Sequence, residues 1–284
     1  MKPAPFAFLR PSTLEEALAA LAGEQGAKVL AGGQSLVPLL SMRLAAPSML
    51  VDINALPDLG HVRVAEDGVR VGALARHAEV LASTEAAQAQ PLLGMALSHV
   101  AHPTIRNRGT TVGSIVHADA AAEMPMVLRL LDGSVDVASV RGRRTVPAAE
   151  LFAGPLESTL AHDEIAVEAF FPGLAPGAGV AFQEIARRHG DYALVGVAAH
   201  VETEGDAVTR AGLGFVSVSD VPTVVDVTDA LDDPAGKALA ELDPADDIHA
   251  TAAYRAHLVK VLAPRVLAAA TDHARSRAGE ATPS

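Results

Sequence analysis

The run VLAGGQSLVPLL, residues 29 to 40, sets a short apolar stretch directly against a glycine pair and then resumes an apolar pattern. This junction constrains the fold more than any other feature of the chain. Glycine at a strand-to-helix turn permits backbone angles closed to other residues and lets a second backbone or a ligand come into contact. Successive amides of such a turn can point into one concavity that binds phosphate oxygens. Gly32 and Gly33 would open that approach, Gln34 and Ser35 keep polar hydrogens there, and the Ser35 hydroxyl would add a donor. The run is neither G-x-G-x-x-G nor a Walker A loop, because no lysine follows, and a plain tight turn would use the same residues.

A second segment, TIRNRGTTVGSIVHADAAAEMP (104–125), repeats the chemistry with Gly109, Thr110, Thr111, Gly113 and Ser114. Two loops of amides and hydroxyls suggest a diphosphate-bearing ligand held from two sides. Asp119 and Glu123 follow and read as ribose or backbone partners. His99, His102 and His117 lack a metal-ligand spacing. Ser35 is in no nucleophile elbow. Neither a metal site nor a serine triad is therefore assigned.

Ser12 and Glu15 have capping-box spacing, and Leu14, Leu18 and Leu21 mark one face of a helix that stops at Gly23. Residues 28–30 and SMLVDI (48–53) read as strands, so the first fifty or so residues form a β-α-β unit. VRVAEDGVRVGA (62–73) alternates around Glu66, Asp67 and Gly68 as a hairpin. Helices are expected near 78–82 and 91–100, whereas 101–125 is too irregular for one element and is where a site is expected. SVDVASV and EIAVEAFFP read as strands, and the proline- and glycine-rich PGLAPGAG (172–179) as a linker. VAFQEIARR, ALVGVAAHVE and TRAGLGFVSV predict antiparallel strands, 249–275 a helix, and roughly the last nine residues a frayed end. The expected units are 1–56, 57–175 and 176–284.

The chain has 284 residues, half of them hydrophobic, enough for a substantial core divided among lobes. A net charge of -12 argues against nucleic acid and anionic membrane surfaces as partners. The basic spot at 141–144 reads as a solvated turn. The sequence contains no cysteine, which excludes thiolate iron–sulfur clusters, zinc fingers and disulfides within it. Any such centre would belong to a partner. No run reaches the ~18 apolar residues of a membrane helix, so a cytoplasmic location without membrane insertion is expected.

Five motifs occur in order: LAGGQSLVPLLSMRL followed by VDI, then VGALARHAEV, IRNRGTTVGSIVHADAAAEMP, FQEIARRHGDYALVGVAA and GLGFVSVSDVPT. Together they resemble the medium, FAD-binding subunit of the molybdenum hydroxylases, the group of xanthine dehydrogenase and aerobic carbon monoxide dehydrogenase. The resemblance implies an α+β chain: a PCMH-type FAD-binding fold of two α/β subdomains, then a C-terminal α+β domain with an antiparallel sheet. It implies that Ala31, Gly32, Gly33, Gln34, Ser35 and Leu36 wrap the FAD diphosphate. Thr110, Thr111, Val112, Gly113 and Ser114 would hold it from the opposite side. Asp119 and Glu123 fall at polar contacts to the cofactor, and Tyr192 falls beside the flavin ring. The family loop usually reads T-I-G-G, so Val112 replaces its first glycine. Because a β-branched residue avoids positive φ, Val112 is expected to have negative φ and still offer its amide.

The same resemblance implies an electron-transfer subunit with noncovalent FAD and no catalytic side chain of its own. Molybdopterin would belong to a large partner subunit and two [2Fe–2S] clusters to a small one, in a dimer of heterotrimers serving an external electron acceptor. The lack of cysteine argues against the benzoyl-CoA reductase branch, which has a further cluster on this subunit. One alternative is a stand-alone PCMH-type flavoenzyme, UDP-N-acetylmuramate reductase-like or an oxidase, needing its own substrate pocket and a proton donor near flavin N5. Another is an assembly subunit without cofactor.

Overall fold

The computed structural model describes residues 2–280. Strand β1 (Ala7–Leu9) leads to helix α1 (Leu14–Gly23), whose buried face is Ala17, Leu18 and Leu21. The cap lies one residue later than the Ser12–Glu15 spacing predicts. The Thr13 hydroxyl accepts from the Glu16 amide at 3.2 Å, and the Glu16 carboxylate accepts from the Ser12 amide at 2.8 Å. The sequence offers two overlapping S/T-x-x-E frames, and both side chains of the later frame are engaged here. Strand β2 (Ala27–Leu30), helix α2 (Leu36–Met42) and strand β3 (Met49–Asp52) follow, and the three strands form a parallel sheet in the order β1-β3-β2. The expected β-α-β unit is therefore β2-α2-β3, with the glycine pair at its first turn.

The next unit is antiparallel. Strands β4 (Val62–Ala65) and β5 (Gly68–Gly72) form the hairpin expected around Asp67 and Gly68. Six helices come next: α3 (His77–Ala82), α4 (Thr84–Ala89), α5 (Pro91–Leu97), α6 (Pro103–Arg106), α7 (Thr111–His117) and α8 (Glu123–Leu130). The stretch that lacks one period thus resolves into short helices separated by turns. Strands β6 (Ser134–Ser139) and β7 (Gly142–Pro147), helix α9 (Ala148–Leu151), a small hairpin of β8 (Phe152–Gly154) and β9 (Glu157–Ser158), and strand β10 (Ile165–Pro172) complete the unit. Its main sheet has the order β4-β5-β10-β6-β7. The basic spot is not a free turn: Arg143 and Arg144 belong to β7, Arg141 pairs with Asp163, and Arg144 meets Glu164 at 2.7 Å. In each pair the guanidinium is exposed while the carboxylate is nearly buried.

The third unit is a four-stranded antiparallel sheet, β11 (Ala178–Ala186), β12 (Ala193–Glu204), β13 (Ala207–Val216) and β14 (Thr223–Asp226), in sequence order. Helix α10 (Pro234–Leu239) and helix α11 (Ala252–Glu280) follow. Leu258, Val259, Leu262, Val266 and Ala270 of α11 share a buried cluster with Val195, Val197, Leu213 and Phe215. Helix α11 continues to Glu280, so most of the end expected to fray is helical, and 281–284 lie outside the described residues. Among the described residues no helix is long and apolar enough to cross a membrane.

Adjacent units share their cores. Val51, Ile53 and Leu56 pack with Leu74, Ala138, Ile165 and Val167 of the second unit. The opposite face of the C-terminal sheet receives α8, for which glycines clear the way. A Cβ on Gly214 would lie 2.5 Å from Met126 Sδ, and one on Gly212 would lie 3.4 Å from Leu130 Cδ1. The alternation Gly212-Leu213-Gly214 in β13 thus gives α8 a flat seat on one face while Leu213 packs toward α11 on the other.

Candidate functional site

The glycine junction is a backbone-to-backbone contact. A Cβ on Gly32 would lie 2.5 Å from Arg108 O, 2.8 Å from Gly109 Cα and 3.0 Å from Thr110 N. The loop after β2 therefore rests directly on the loop before α7. Gly33 has φ 71°, the left-handed region that glycine occupies at least cost. Gln34 turns inward, its side-chain amide donating to Gly32 O at 3.0 Å, whereas Ser35 is exposed and makes no side-chain cap bond to α2. Leu36 begins α2.

Side chains from two other segments tie these loops together. Asn54 Nδ2 donates to Ala31 O at 2.8 Å, and its Oδ1 accepts from Arg76 Nη2 at 2.8 Å. Arg76 Nη1 donates to Arg108 O at 2.6 Å. One chain of hydrogen bonds thus joins 31, 54, 76 and 108. His77 continues it: its amide donates to Gly109 O at 3.0 Å, and its Nδ1 shares a hydrogen bond with Thr111 Oγ1 at 3.1 Å. Burial pushes the His77 pKa down to about 4, with the Arg106 charge acting in the same direction, so this imidazole is neutral at pH 7.

The second loop divides into two faces. Thr110 caps α7, its hydroxyl accepting from the Gly113 amide at 3.2 Å. A Cβ on Gly113 would strike that same hydroxyl, so glycine and cap require each other. Thr111 and Val112 are turned into the core, and Gly113 and Ser114 are half-buried. Val112 is in the first turn of α7, is absent from the residues with positive φ, and is 2 % exposed. Its side chain is one of the large central cluster, where burying a valine contributes about 1.5–3 kcal/mol. The replacement of glycine is thereby explained: the position is helical and faces the core.

Beyond α7, Ala118 has φ 57° and turns the chain into the acidic segment. Asp119 accepts from the Ala121 amide at 2.9 Å, and Glu123 opens α8 at only 7 % exposure. Burial pushes the Glu123 pKa up to about 8, with Glu184 and Asp119 raising it further and His99 opposing. Tyr192 lies at the rim with 64 % exposure, and local desolvation together with Asp119 and Glu123 pushes its hydroxyl pKa up. Its loop rests on the turn before α6: Gly190, at φ 84°, could not take a Cβ without striking Ala101 O at 2.8 Å and the His102 ring. The residues expected for the site thus lie on two contacting loops, an acidic segment and a rim loop. Asn54, Arg76, His77, His99 and Glu184 were not singled out as site residues. VGALARHAEV had already marked the neighbourhood of Arg76 and His77, but a hydrogen bond from position 54 to 76 has no local sequence pattern.

The two contacting loops are made of small residues with backbone amides and hydroxyls, the residue types a diphosphate requires. Gly32 lets the two loops close on each other and Gly33 makes the left-handed turn, while exposed Ser35 and half-buried Ser114 leave a hydroxyl on each loop. The chain belongs to the family of FAD-binding subunits of molybdopterin dehydrogenases: the FAD binding domain in molybdopterin dehydrogenase matches residues 4–174, and the CO dehydrogenase flavoprotein C-terminal domain matches 180–270. It is a medium, FAD-binding subunit of a molybdenum hydroxylase-type oxidoreductase. It is 41% identical over 288 residues to the 6-hydroxypseudooxynicotine dehydrogenase complex subunit alpha of Paenarthrobacter nicotinovorans, covering 97% of each chain. Its identity to the nicotine 6-hydroxylase medium subunit of the same organism is 39%, over 92% of this chain and 95% of the other. A carbon monoxide dehydrogenase structure from Hydrogenophaga pseudoflava, lacking the Mo-pyranopterin moiety of its cofactor, superposes with TM-score 0.92 at 30% identity, over 96% of this chain and 99% of that one.

Proposed function

We propose that this chain is the electron-transfer flavoprotein subunit of a molybdenum hydroxylase complex. When bound, FAD would supply the redox chemistry, taking electrons from [2Fe–2S] clusters on a small partner subunit and giving them to an external acceptor. Molybdopterin and the reducing substrate would belong to a large partner subunit, in a dimer of heterotrimers in the cytoplasm. The observation that carries this reading is the contact of Gly32 with the 108–110 backbone, which brings two glycine- and hydroxyl-bearing loops distant in sequence together.

In this reading the residues of the chain bind and orient. Ala31 through Leu36 and Thr110 through Ser114 enclose the diphosphate from two sides, with Gly113 and Ser114 as the accessible part of the second loop. The side chains of Thr111 and Val112 stiffen it from the core. Asp119 and Glu123 contact the sugar or ring portion, and Tyr192 covers the ring from the rim and limits its contact with solvent. The proposed division into 1–56, 57–175 and 176–284 is supported by the three larger sheets, one in each segment. The first two units hold FAD, and the third supplies the rim.

FAD is held noncovalently, since the sequence offers no cysteine for a thioether. Acid precipitation of the purified protein should release the yellow colour into the supernatant, and colour retained in the pellet would refute this. The isolated chain should hold FAD yet oxidise no substrate of the complex. Turnover of such a substrate by this chain alone would favour a stand-alone flavoenzyme. Gly33→Val should lose FAD, because a branched side chain is disfavoured at φ 71° and its Cβ would crowd Leu30 and Val37 at 3.2 Å, so the turn must shift.

A further inference from the structure

Asn54 and Arg76 brace the two contacting loops from outside both. Asn54 is in the short 3-10 turn (Ile53–Ala55) that follows β3, and Arg76 is in the turn between β5 and α3. Asn54 Nδ2 donates to Ala31 O at 2.8 Å and to Asp52 Oδ1 at 2.6 Å, and the Asn54 backbone amide donates to the same carboxylate oxygen at 3.1 Å. Its Oδ1 is left to accept from Arg76 Nη2 at 2.8 Å. The side-chain amide therefore has one workable orientation, with two acceptors on its nitrogen side and a cation on its oxygen side. The other terminal nitrogen of the guanidinium, Nη1, donates to Arg108 O at 2.6 Å. The backbone of Arg76 runs antiparallel to the second loop opposite Thr110, with the His77 amide on Gly109 O at 3.0 Å and the Thr111 amide on Ala75 O at 3.3 Å.

We propose that Asn54 and Arg76 are positioning residues for a diphosphate: together they form a strut between the first two units that sets the direction of the amides after β2 and their register with the second loop. This rests on the flavin reading above. In a trans peptide the carbonyl and the following N–H point in opposite directions. Tying Ala31 O to Asn54 therefore turns the Gly32 N–H away from Asn54. Among the described residues the amides of Gly32, Gly33, Gln34 and Ser35 donate to no backbone carbonyl, and Gly33 supplies the left-handed turn by which neighbouring amides converge on one anion. On the second loop the Arg108–Gly109 peptide is held at both ends, its carbonyl by Arg76 and its N–H by Ile105 O at 2.7 Å. That fixed peptide is the surface on which Gly32 rests. Donors whose directions are set before the ligand arrives bind it more tightly, because less freedom is lost on binding. Each terminal nitrogen of Arg76 already has a protein acceptor, so its part is bracing rather than attraction of the phosphates by charge.

Fluorescence-quenching titration of the FAD-free protein with FAD, with ADP as a competitor that has the diphosphate and no flavin, reads the strut directly. Asn54→Asp keeps the size and the bond from Arg76 but cannot donate to Ala31 O. Arg76→Lys keeps the charge but not the fork that reaches Arg108 O and Asn54 together. Each should weaken FAD and ADP by the same factor, about 10- to 100-fold, the loss of one hydrogen bond to a charged group. At saturating FAD the visible flavin spectrum should remain that of the wild type, because only the phosphate end is disturbed. The double variant should lose less than the product of the two single losses, since the residues act through one another. Should Asn54→Asp not fold, Asn54→Ser removes the same reach without placing a carboxylate beside Asp52. FAD affinity that is unchanged while the apo melting temperature falls would make the strut a fold element only. Wild-type affinity in Arg76→Lys, a loss for FAD without a matching loss for ADP, or single losses that multiply in full would each overturn the strut while the flavin reading stands. If the wild type binds no FAD, the flavin reading is refuted together with the strut.

Discussion

Gly32→Ala adds one methyl group where the backbone of a second loop already lies. Its carbon would be 2.5 Å from Arg108 O and 2.8 Å from Gly109 Cα, where ordinary contact begins at 3.4 Å. The loops must therefore part by about 1 Å, and the obstructing atoms cannot rotate away as a side chain could. They are also tethered: Arg76 holds Arg108 O, the His77 amide holds Gly109 O, and the Thr111 amide reaches Ala75 O at 3.3 Å. Overpacking against backbone costs about 1–3 kcal/mol, which for a chain of this size lowers the melting temperature by roughly 2–10 °C. In the flavin reading, parting the loops also removes one or two amide–phosphate hydrogen bonds at about 1.5–3 kcal/mol each, so FAD affinity should fall roughly 10- to 20,000-fold. Flavin content after gel filtration and fluorescence-quenching titration measure the second effect, and calorimetry of the apo form measures the first. A variant that keeps stoichiometric FAD and the wild-type melting temperature would show that the two loops do not depend on their contact.

Gly94→Ala is the opposite case. Nothing lies within 4 Å of the added carbon in α5, so the variant should gain about 0.5–1 kcal/mol in urea unfolding, and a loss would mean that the helix is not formed as described. Arg255, 5% exposed, donates to Leu194 O at 2.6 Å, Ser217 O at 2.5 Å and Asp247 at 2.5 Å, so Arg255→Met should cost about 3–5 kcal/mol in the same assay. The depressed His77 pKa contributes stability that is fully present above about pH 6.5 and is lost as the pH falls toward 4. His77→Gln should flatten that part of the stability profile, and an unchanged profile would refute the assignment. Tyr192→Ala should alter the visible flavin spectrum and raise oxygen reactivity. Because the residue is 64 % exposed, the apo melting temperature should stay nearly unchanged, and a large loss of apo stability with an unaltered spectrum would make Tyr192 a core residue instead.

Local chemistry made much of this protein legible without coordinates. The glycine turn between β2 and α2, the Asp67-Gly68 hairpin and the three long strands after the Pro/Gly linker each follow from residues close together in the chain, whose steric limits and period-two alternation act locally. The absence of cysteine sufficed to exclude thiolate-held iron–sulfur centres from this chain. Where two local solutions competed, sequence was insufficient. Ser12 and Thr13 both offer a cap for α1, and the choice is seen only in the folded contacts. Likewise Val112 reads as a misplaced glycine until α7 turns its side chain into the core.

Tertiary structure alone decided who meets whom across long separations. The contact of Gly32 with Arg108 and Gly109, the bridge from Asn54 through Arg76, and the pairing of His99 with Glu184 each join positions with no shared period or motif. The physical reason is that such pairs form when separate sheets pack on common cores and carry their polar groups along. The resulting burial, at His77 and Glu123 above all, then fixes protonation states that the residue types alone would not have.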